Sequence, residues 1–274
     1  MELIKAKLLV AQCFSDPEIS ALYAAGDKLS QHQTKHDIDH AEQVRDLAVK
    51  ISSGLNGRKP GFLDEWTTDV VVPLAAYLHD IGRAIDVDEH AKAGAKWTKG
   101  YLSRLRLPGE TETLPVPVIN RIARIVACHR SQIVLKMPFD DPAWAIVVLA
   151  DKCVGDEERV RPVRAAVLSV LRIFRATWIP LRKGGEHDRA NFAIKKADVV
   201  FRNKPAPANN LKLGDICLDL TIDTRVCGGS LIMGLYSDRF QACVKAADYL
   251  GYDFRIDFNG ETFVYQNAEW RSAS

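Results

Sequence analysis

A mainly α-helical chain with a smaller α+β unit at its carboxy-terminal end is the fold class this sequence predicts. Three observations carry the prediction. From Asp16 to about Arg182, apolar residues recur at helical spacing. After "LRKGGEHDR" the pattern breaks at "NKPAPANN" (203–210), a stretch rich in proline and asparagine. Beyond the break, "DICLDLTID" alternates apolar and polar residues as a half-buried strand does, while "YDFRIDF", "NG" and "ETFVYQ" read as strand, turn and strand. The expected organisation is a helical domain over residues 1–182 and an α+β appendage over 183–274.

The elements follow in order. "DPEISALYAAGDKL" opens with a capping Asp16 and with Pro17 at the first helical position. Further helices are predicted near 38–53, 65–82, 88–105, 115–130, 141–155 and 160–178, separated by the breakers "GLNGRKPG", "RLPGETETLP" and "KMPFDDP". "GGSLIMGLYSDRFQACVKAADYLG" is helical in period and lies between the predicted strands.

At 274 residues and 47% hydrophobic, the chain can bury a sizeable core without covalent staples. Its cysteines, at 13, 128, 153, 217, 227 and 243, form no CxxC pair, which argues against a thiolate zinc site and for a reducing cytoplasm. "MELIKAKLLVAQCF" lacks a cleavage pattern and no apolar run approaches 18 to 20 residues, so a cytoplasmic protein without membrane partners is expected. A net charge of +2 gives no strong nucleic-acid signal.

The chemistry candidates are polar residues on apolar faces. "AAYLHDIGRA" ends the run Val70–Leu78 with an imidazole and a carboxylate, His79 and Asp80. His40 shares a helical face with Val44, Leu47, Ala48 and Ile51, and His90 shares one with Ala93, Gly94, Trp97 and Tyr101. His129 completes a stripe of Ile122, Ile125 and Val126, and Asp151 follows Val147 and Val148 in a helix apolar nearly all round. A lone core histidine is usually structural. An ionised carboxylate in an apolar setting, however, must be paired, protonated or metal-bound. A shared divalent metal site satisfies His40, His79, Asp80, His90, His129 and Asp151 together, and mixed imidazole and carboxylate ligands suit iron or manganese. His32, His36 and His187-Asp188 fit surface, supporting or loop roles, and Cys128 and Cys153 fit small core residues.

In this order, His40 in "HDIDHAEQVRDLA", His79-Asp80 in "LAAYLHDIGRA", His90 in "EHAKAGA", His129 in "VACHRS" and Asp151 in "LADK", the chain resembles the HD-domain metal-dependent phosphohydrolases over roughly residues 30 to 165. The segments "LADKCVGDEERVR" and "HDRANFAIKKADVV" also resemble those of uncharacterised bacterial HD proteins with a similar appendage. The resemblance implies a helical HD core in which His40, His79, Asp80 and Asp151 hold one ion, and Asp80, His90 and His129 a second. The ions would be iron or manganese, with magnesium or another divalent ion as alternatives. The spacing departs from the family in a short gap from the dyad to His90 and a long one from His90 to His129. Without His90, a single ion is implied.

Such a site activates water and stabilises the attacking and leaving oxygens of phosphoryl displacement. The implied activity is hydrolysis of a phosphoester or phosphoanhydride of a small phosphorylated substrate, a nucleotide by preference. Asp80, Arg83 and Lys152 are the expected catalytic residues, and Arg83, Arg130 and Lys152 the expected substrate contacts. Two alternatives use the same chain differently. One is a di-iron HD-domain oxygenase with the same ligands, and the other a nucleotide-binding signalling or regulatory protein of weak activity that acts through its appendage. Homodimerisation through the C-terminal unit is a further expectation.

Overall fold

The computed structural model describes residues 1–30, 34–176, 179, 185–203 and 212–273. The predicted boundary at Arg182 and the break at 204–210 lie outside them. The architecture is mainly α with a carboxy-terminal five-stranded sheet, as the sequence predicts. Two compact units are present, one of Met1–Gln31 and His36–Asp151, the other of His32–Lys35 and Lys152–Ser274.

The first unit contains α1 (Leu3–Phe14), α2 (Pro17–Leu29), α3 (Ile38–Arg58), α4 (Val72–Leu78), α5 (His90–Arg104), α6 (Val116–Cys128), the short α7 (Ser131–Val134) and most of α8 (Pro142–Cys153). Asp16 caps α2 by accepting from the Glu18 amide at 2.8 Å, and Asp37 caps α3 by accepting from the His40 amide at 3.3 Å. α1 adds to the expected elements. Lys5 and Lys7 interrupt its apolar pattern, yet they pair with Glu110 and Asp69, while Ala6, Leu9, Val10 and Cys13 are buried.

α4 is the centre of this unit. Every residue from Val70 to Leu78 is buried, as expected of a helix apolar on all sides. The single helix predicted over 65–82 is in fact three pieces: a π-helical turn at Thr67–Val71, then α4, then a 3₁₀ turn at Ile81–Ala84. Pro73 sits in the first turn of α4, where its missing N–H is tolerated. Arg121 of α6 grips Asp141 with two hydrogen bonds of 2.8 Å and donates a third to Thr67, tying α6 to the start of α8 and the π-helical turn.

The second unit holds α9 (Pro162–Ile173), α10 (Gly185–Ala193), β1 (Ile194–Arg202), β2 (Asp215–Ile222), α11 (Gly229–Leu235), α12 (Ser237–Tyr249), β3 (Asp253–Phe258), β4 (Glu261–Gln266) and β5 (Glu269–Ser272). The strands lie in chain order, with β2 and β3 parallel and every other neighbouring pair antiparallel. The parallel pair requires a crossover, which α11 and α12 supply in place of the single helix predicted there. The predicted strand "DICLDLTID" and the hairpin around Asn259-Gly260 are present. β1 and β5 are additions. Lys195, Lys196 and Asp198 hide the alternation of β1, an edge strand whose charges guard an open edge. The loop expected at His187-Asp188 is corrected to a helix, α10, and Asp188 is 1% exposed because Arg164 neutralises it.

Candidate metal centre

Six of the sequence-selected residues, His40, His79, Asp80, His90, His129 and Asp151, are all buried in the first unit, and they gather where helices end. His40 lies in the first turn of α3, His90 opens α5, and Asp151 is third from the end of α8. His79 is the C-cap of α4 and His129 the C-cap of α6, while Asp80 is the N-cap of the following 3₁₀ turn. The expectation that the dyad projects from a continuous helix is therefore corrected. The helix stops at His79, and the change of backbone at Asp80 (φ −104°, ψ 5°) lets both side chains turn to one centre.

Three imidazoles are anchored alike. Nδ1 of His79 meets the Ala76 carbonyl at 2.7 Å, that of His90 the Val87 carbonyl at 2.9 Å, and that of His129 the Val126 carbonyl at 2.8 Å. A carbonyl only accepts, so each Nδ1 carries a proton, and in the neutral ring the Nε2 presents a lone pair. Those lone pairs converge on carboxylate oxygens. His90 and His129 Nε2 stand 3.3 and 3.5 Å from Asp80 Oδ1, and His79 Nε2 stands 3.7 Å from Asp80 Oδ2. Asp151 Oδ1 lies 3.6 Å from His79 Nε2 and 3.9 Å from His40 Nε2. The rings of His40, His79, His129 and His90 form a row with centroids 5.2 to 5.4 Å apart.

Two acceptor atoms facing each other gain nothing unless a cation lies between them. Ligands on one tetrahedral ion with bonds of about 2.1 Å sit about 3.4 Å apart, close to the separations found here. His79 Nε2, fully buried, has no hydrogen-bond partner among the described residues. Two three-residue groups have ligand atoms within 4.8 Å of one another: His40, His79 and Asp80, and Asp80, His90 and His129. Asp80 belongs to both. The donor set fits divalent metal.

Electrostatics favour the same protonation states. Burial alone would push the Asp80 carboxyl up, but Arg83, His79, His129 and His90 outweigh it and hold it well below the usual carboxylate range. Burial lowers His79 and takes His90 down to about 4. Ligands must be a carboxylate and neutral imidazoles to bind metal, and these shifts supply them.

The expected phosphate contacts are arranged differently from one another. Arg83 Nε donates to Asp80 Oδ2 at 2.9 Å, so its guanidinium grips the shared carboxylate. Arg130 donates to the Asp88 carbonyl. Lys152 groups with the second unit, where it lines a cleft with Asn191, Tyr236 and Arg239, and its carbonyl accepts from Arg239 Nη2 at 2.9 Å. His36 stacks edge-on against His40 at 5.6 Å, and His32 lies outside the described residues.

Sequence reasoning overlooked the backbone that holds the dyad. A Cβ on Gly82 would lie 2.1 Å from the His90 carbonyl oxygen and 2.3 Å from the Gly94 nitrogen. On the opposite side, a Cβ on Gly26 of α2 would lie 2.9 Å from Arg83 Cβ. The 3₁₀ turn is thus clamped between α2 and α5, which sets His90 beside Asp80. Gly82, two residues after Asp80, was the readable signal. Tyr23 adds a hydrogen bond to the Tyr77 carbonyl, two residues before His79.

A third grouping, Cys217, Asp219 and Asp257, lies in the sheet. Arg202 donates to Asp219 at 2.7 Å and to Asp257 at 3.4 Å, and Thr262 and the Gly260 amide also serve Asp257, so a resident cation already balances it.

Residues 37–171 match the profile of the HD domain family. Among curated proteins, Multifunctional CCA proteins of two Stenotrophomonas maltophilia strains, K279a and R551-3, are 29% and 30% identical over 105 residues, 36% of this chain and 22% of theirs. That of Xanthomonas oryzae pv. oryzae strain MAFF 311018 is 28% identical over 126 residues, 44% of this chain and 26% of that one. The chain thus spans about a quarter of the length of these relatives. A crystal structure of a predicted HD superfamily hydrolase from an uncultured Thermotogales bacterium is 19% identical and covers 69% of this chain and 84% of that one, with a TM-score of 0.33.

Proposed function

Because this chain is an HD-domain protein, we propose that it is a metal-dependent hydrolase of a phosphoester or phosphoanhydride, with a small phosphorylated substrate and nucleotides as the preferred class. The observation that carries the reading is Asp80, a buried carboxylate flanked by imidazole lone pairs on both of its oxygens. His40, His79, Asp80 and Asp151 would hold one divalent ion, and Asp80, His90 and His129 a second, with iron or manganese favoured by the donor set. Such ions supply Lewis acidity that lowers the pKa of water and balances charge on the attacking and leaving oxygens.

The chain's own residues do the rest. The carbonyls of Ala76, Val87 and Val126 fix the tautomer and aim of three ligands. Arg83 keeps Asp80 ionised and orients it, which makes Arg83 first a positioning residue and then a candidate phosphate contact. Arg130 and Lys152 are the remaining candidates for substrate charge. Burial of the ligands, none more than 8% exposed, keeps bulk water from competing for the ions.

The test is metal analysis of the purified protein beside Asp80→Ala and His40→Ala. It is joined to phosphate release from nucleotides, dinucleoside polyphosphates and cyclic dinucleotides with manganese or iron under anaerobic conditions. Metal loss and loss of phosphate release in both variants is the expected result. Full metal content and activity in both would refute the site, and oxygen uptake without phosphate release would transfer it to the oxygenase chemistry.

A further inference from the structure

α9 is built inside out. At 100° per residue, Val163, Ala166, Val167, Val170, Ile173 and Phe174 fall within an arc of about 120° on one side of the helix. That side faces solvent: Val163 is 78% exposed, Val167 48%, Val170 52%, Ile173 72% and Phe174 76%. Leu168, on the other side, is the helix's one buried residue. Its charges also turn inward, Arg164 pairing with Asp188 and Arg172 with Asp223, whose carboxylates are 2% and 9% exposed. Five of the fifteen large apolar side chains exposed among the described residues lie on or at the end of this one helix. A surface helix normally shows the reverse order, and exposed apolar faces of this kind mark contact surfaces.

We propose that the occupant is a second copy of this chain, with α9 packed antiparallel against α9 of its partner across a two-fold axis. A two-fold contact needs a patch that matches itself, and an uncharged stripe of valine, isoleucine and phenylalanine does so in either direction. Antiparallel pairing sets Val163 opposite the partner's Phe174 and Val167 opposite the partner's Val170. The exposed fractions correspond to about 600 Å² per copy, or about 1,200 Å² in all, the lower bound of a specific interface. Within the helix, Arg164 and Arg172 are turned away from the seam and paired with Asp188 and Asp223, so neither brings its charge into the stripe. An anionic surface is disfavoured for the same reason, because it would need those cations beside the stripe.

The experiment uses the full chain. Sedimentation velocity or light scattering should give a dimer that dissociates on dilution, and Val167→Glu/Val170→Glu should weaken it on the order of 100-fold by burying like charges. The far-UV spectrum should be unchanged, since both positions are exposed. Independently, Val167→Cys/Val170→Cys should form a covalent dimer on oxidation, whereas Val116→Cys, 65% exposed on α6, should not. A wild-type monomer at about 100 μM overturns the proposal. So does a dimer that survives the glutamates without cross-linking through α9, which assigns another face. A monomer that co-sediments with phosphatidylglycerol vesicles and loses them in the glutamate variant gives the stripe to a lipid surface instead.

Discussion

Gly82→Ala tests the clamp around the dyad. The added Cβ would lie 2.1 Å from the His90 carbonyl oxygen and 2.3 Å from the Gly94 nitrogen, so α5 and the 3₁₀ turn must part by about 1 Å. Both obstructing atoms are backbone, which places the cost at the upper end of overpacking, about 3 kcal/mol. In a unit of this size that is a fall in Tm of roughly 6–12 °C. The same movement would stretch the 3.3 Å approach of His90 Nε2 to Asp80 Oδ1 while leaving His79, His40 and Asp151 on the other side of Asp80. The assay is a thermal melt of the metal-free protein, followed by metal content after loading with manganese. A lower Tm with metal falling toward one ion per chain is expected. Gly94→Ala grades the argument: its Cβ would meet Gly82 at 3.1 Å and Val126 at 3.3 Å, so a smaller fall is expected. A Gly82→Ala protein with unchanged Tm and metal content would refute the clamp.

Three further outcomes follow from the same coordinates. Gly57→Ala, inside α3 with no atom within 4 Å of the added Cβ, should stabilise by up to about 1 kcal/mol, and a lower Tm would contradict the open space described there. In the metal-free protein, burial holds His90 down to about 4, so the unfolded chain binds its proton first as pH falls. Stability should therefore drop between about pH 6.5 and 4, by up to about 3 kcal/mol from this group. Melts in chelator across that range should slope for the wild type and flatten for His90→Asn, and equal slopes would count against the assignment. Arg121→Ala strands Asp141, whose carboxyl burial would raise but Arg121 holds below its ordinary value. Stabilisation from that pair is present above the ordinary Asp range and lost as pH falls through the lowered value. The variant should be about 2 kcal/mol less stable at neutral pH, discounted for the half-exposed arginine, with a shallower loss in acid. An unchanged neutral Tm would exclude the pair as a support of α8.

The candidate ligand set was legible because each member breaks a pattern. His40, His90 and His129 interrupt apolar stripes, and Asp80 and Asp151 sit where an unpaired carboxylate is costly, so the six positions stand out even before they are known to meet. Their geometry was less legible. Periodicity reports that a helix exists and says little about the residue where it stops, and the one-helix reading of 65–82 missed the break at His79 that aims the dyad. Arg83 shows the limit in another way. Its position one turn after the dyad pointed to phosphate, and its Nε also grips Asp80, a contact made by packing between α2 and α5 that no local pattern records. In the second unit, charged residues obscured β1, and α10 was hidden because Asp188 is buried only through its pairing with Arg164.

The common feature of the candidate ligands is their place at helix termini, and it has a physical reason. Mid-helix, adjacent side chains diverge by about 100° and lie over their own backbone. At a terminus the chain leaves the helix, and a side chain can face along it. The last turns also leave backbone groups to be used. His79 and His129 are C-caps, and each takes up a carbonyl three residues back through Nδ1. His90, at the start of α5, uses the Val87 carbonyl from the preceding loop in the same way. One local device, an imidazole donating to the i−3 carbonyl, thus fixes three imidazoles reached from different directions around Asp80. It needs no specific side-chain partner, only a helix or turn that ends at the histidine and a core tight enough to bring the ends together. The apolar run of α4 and the glycine contact at Gly82 supply that tightness, so the residues that look least chemical decide where the polar cluster sits.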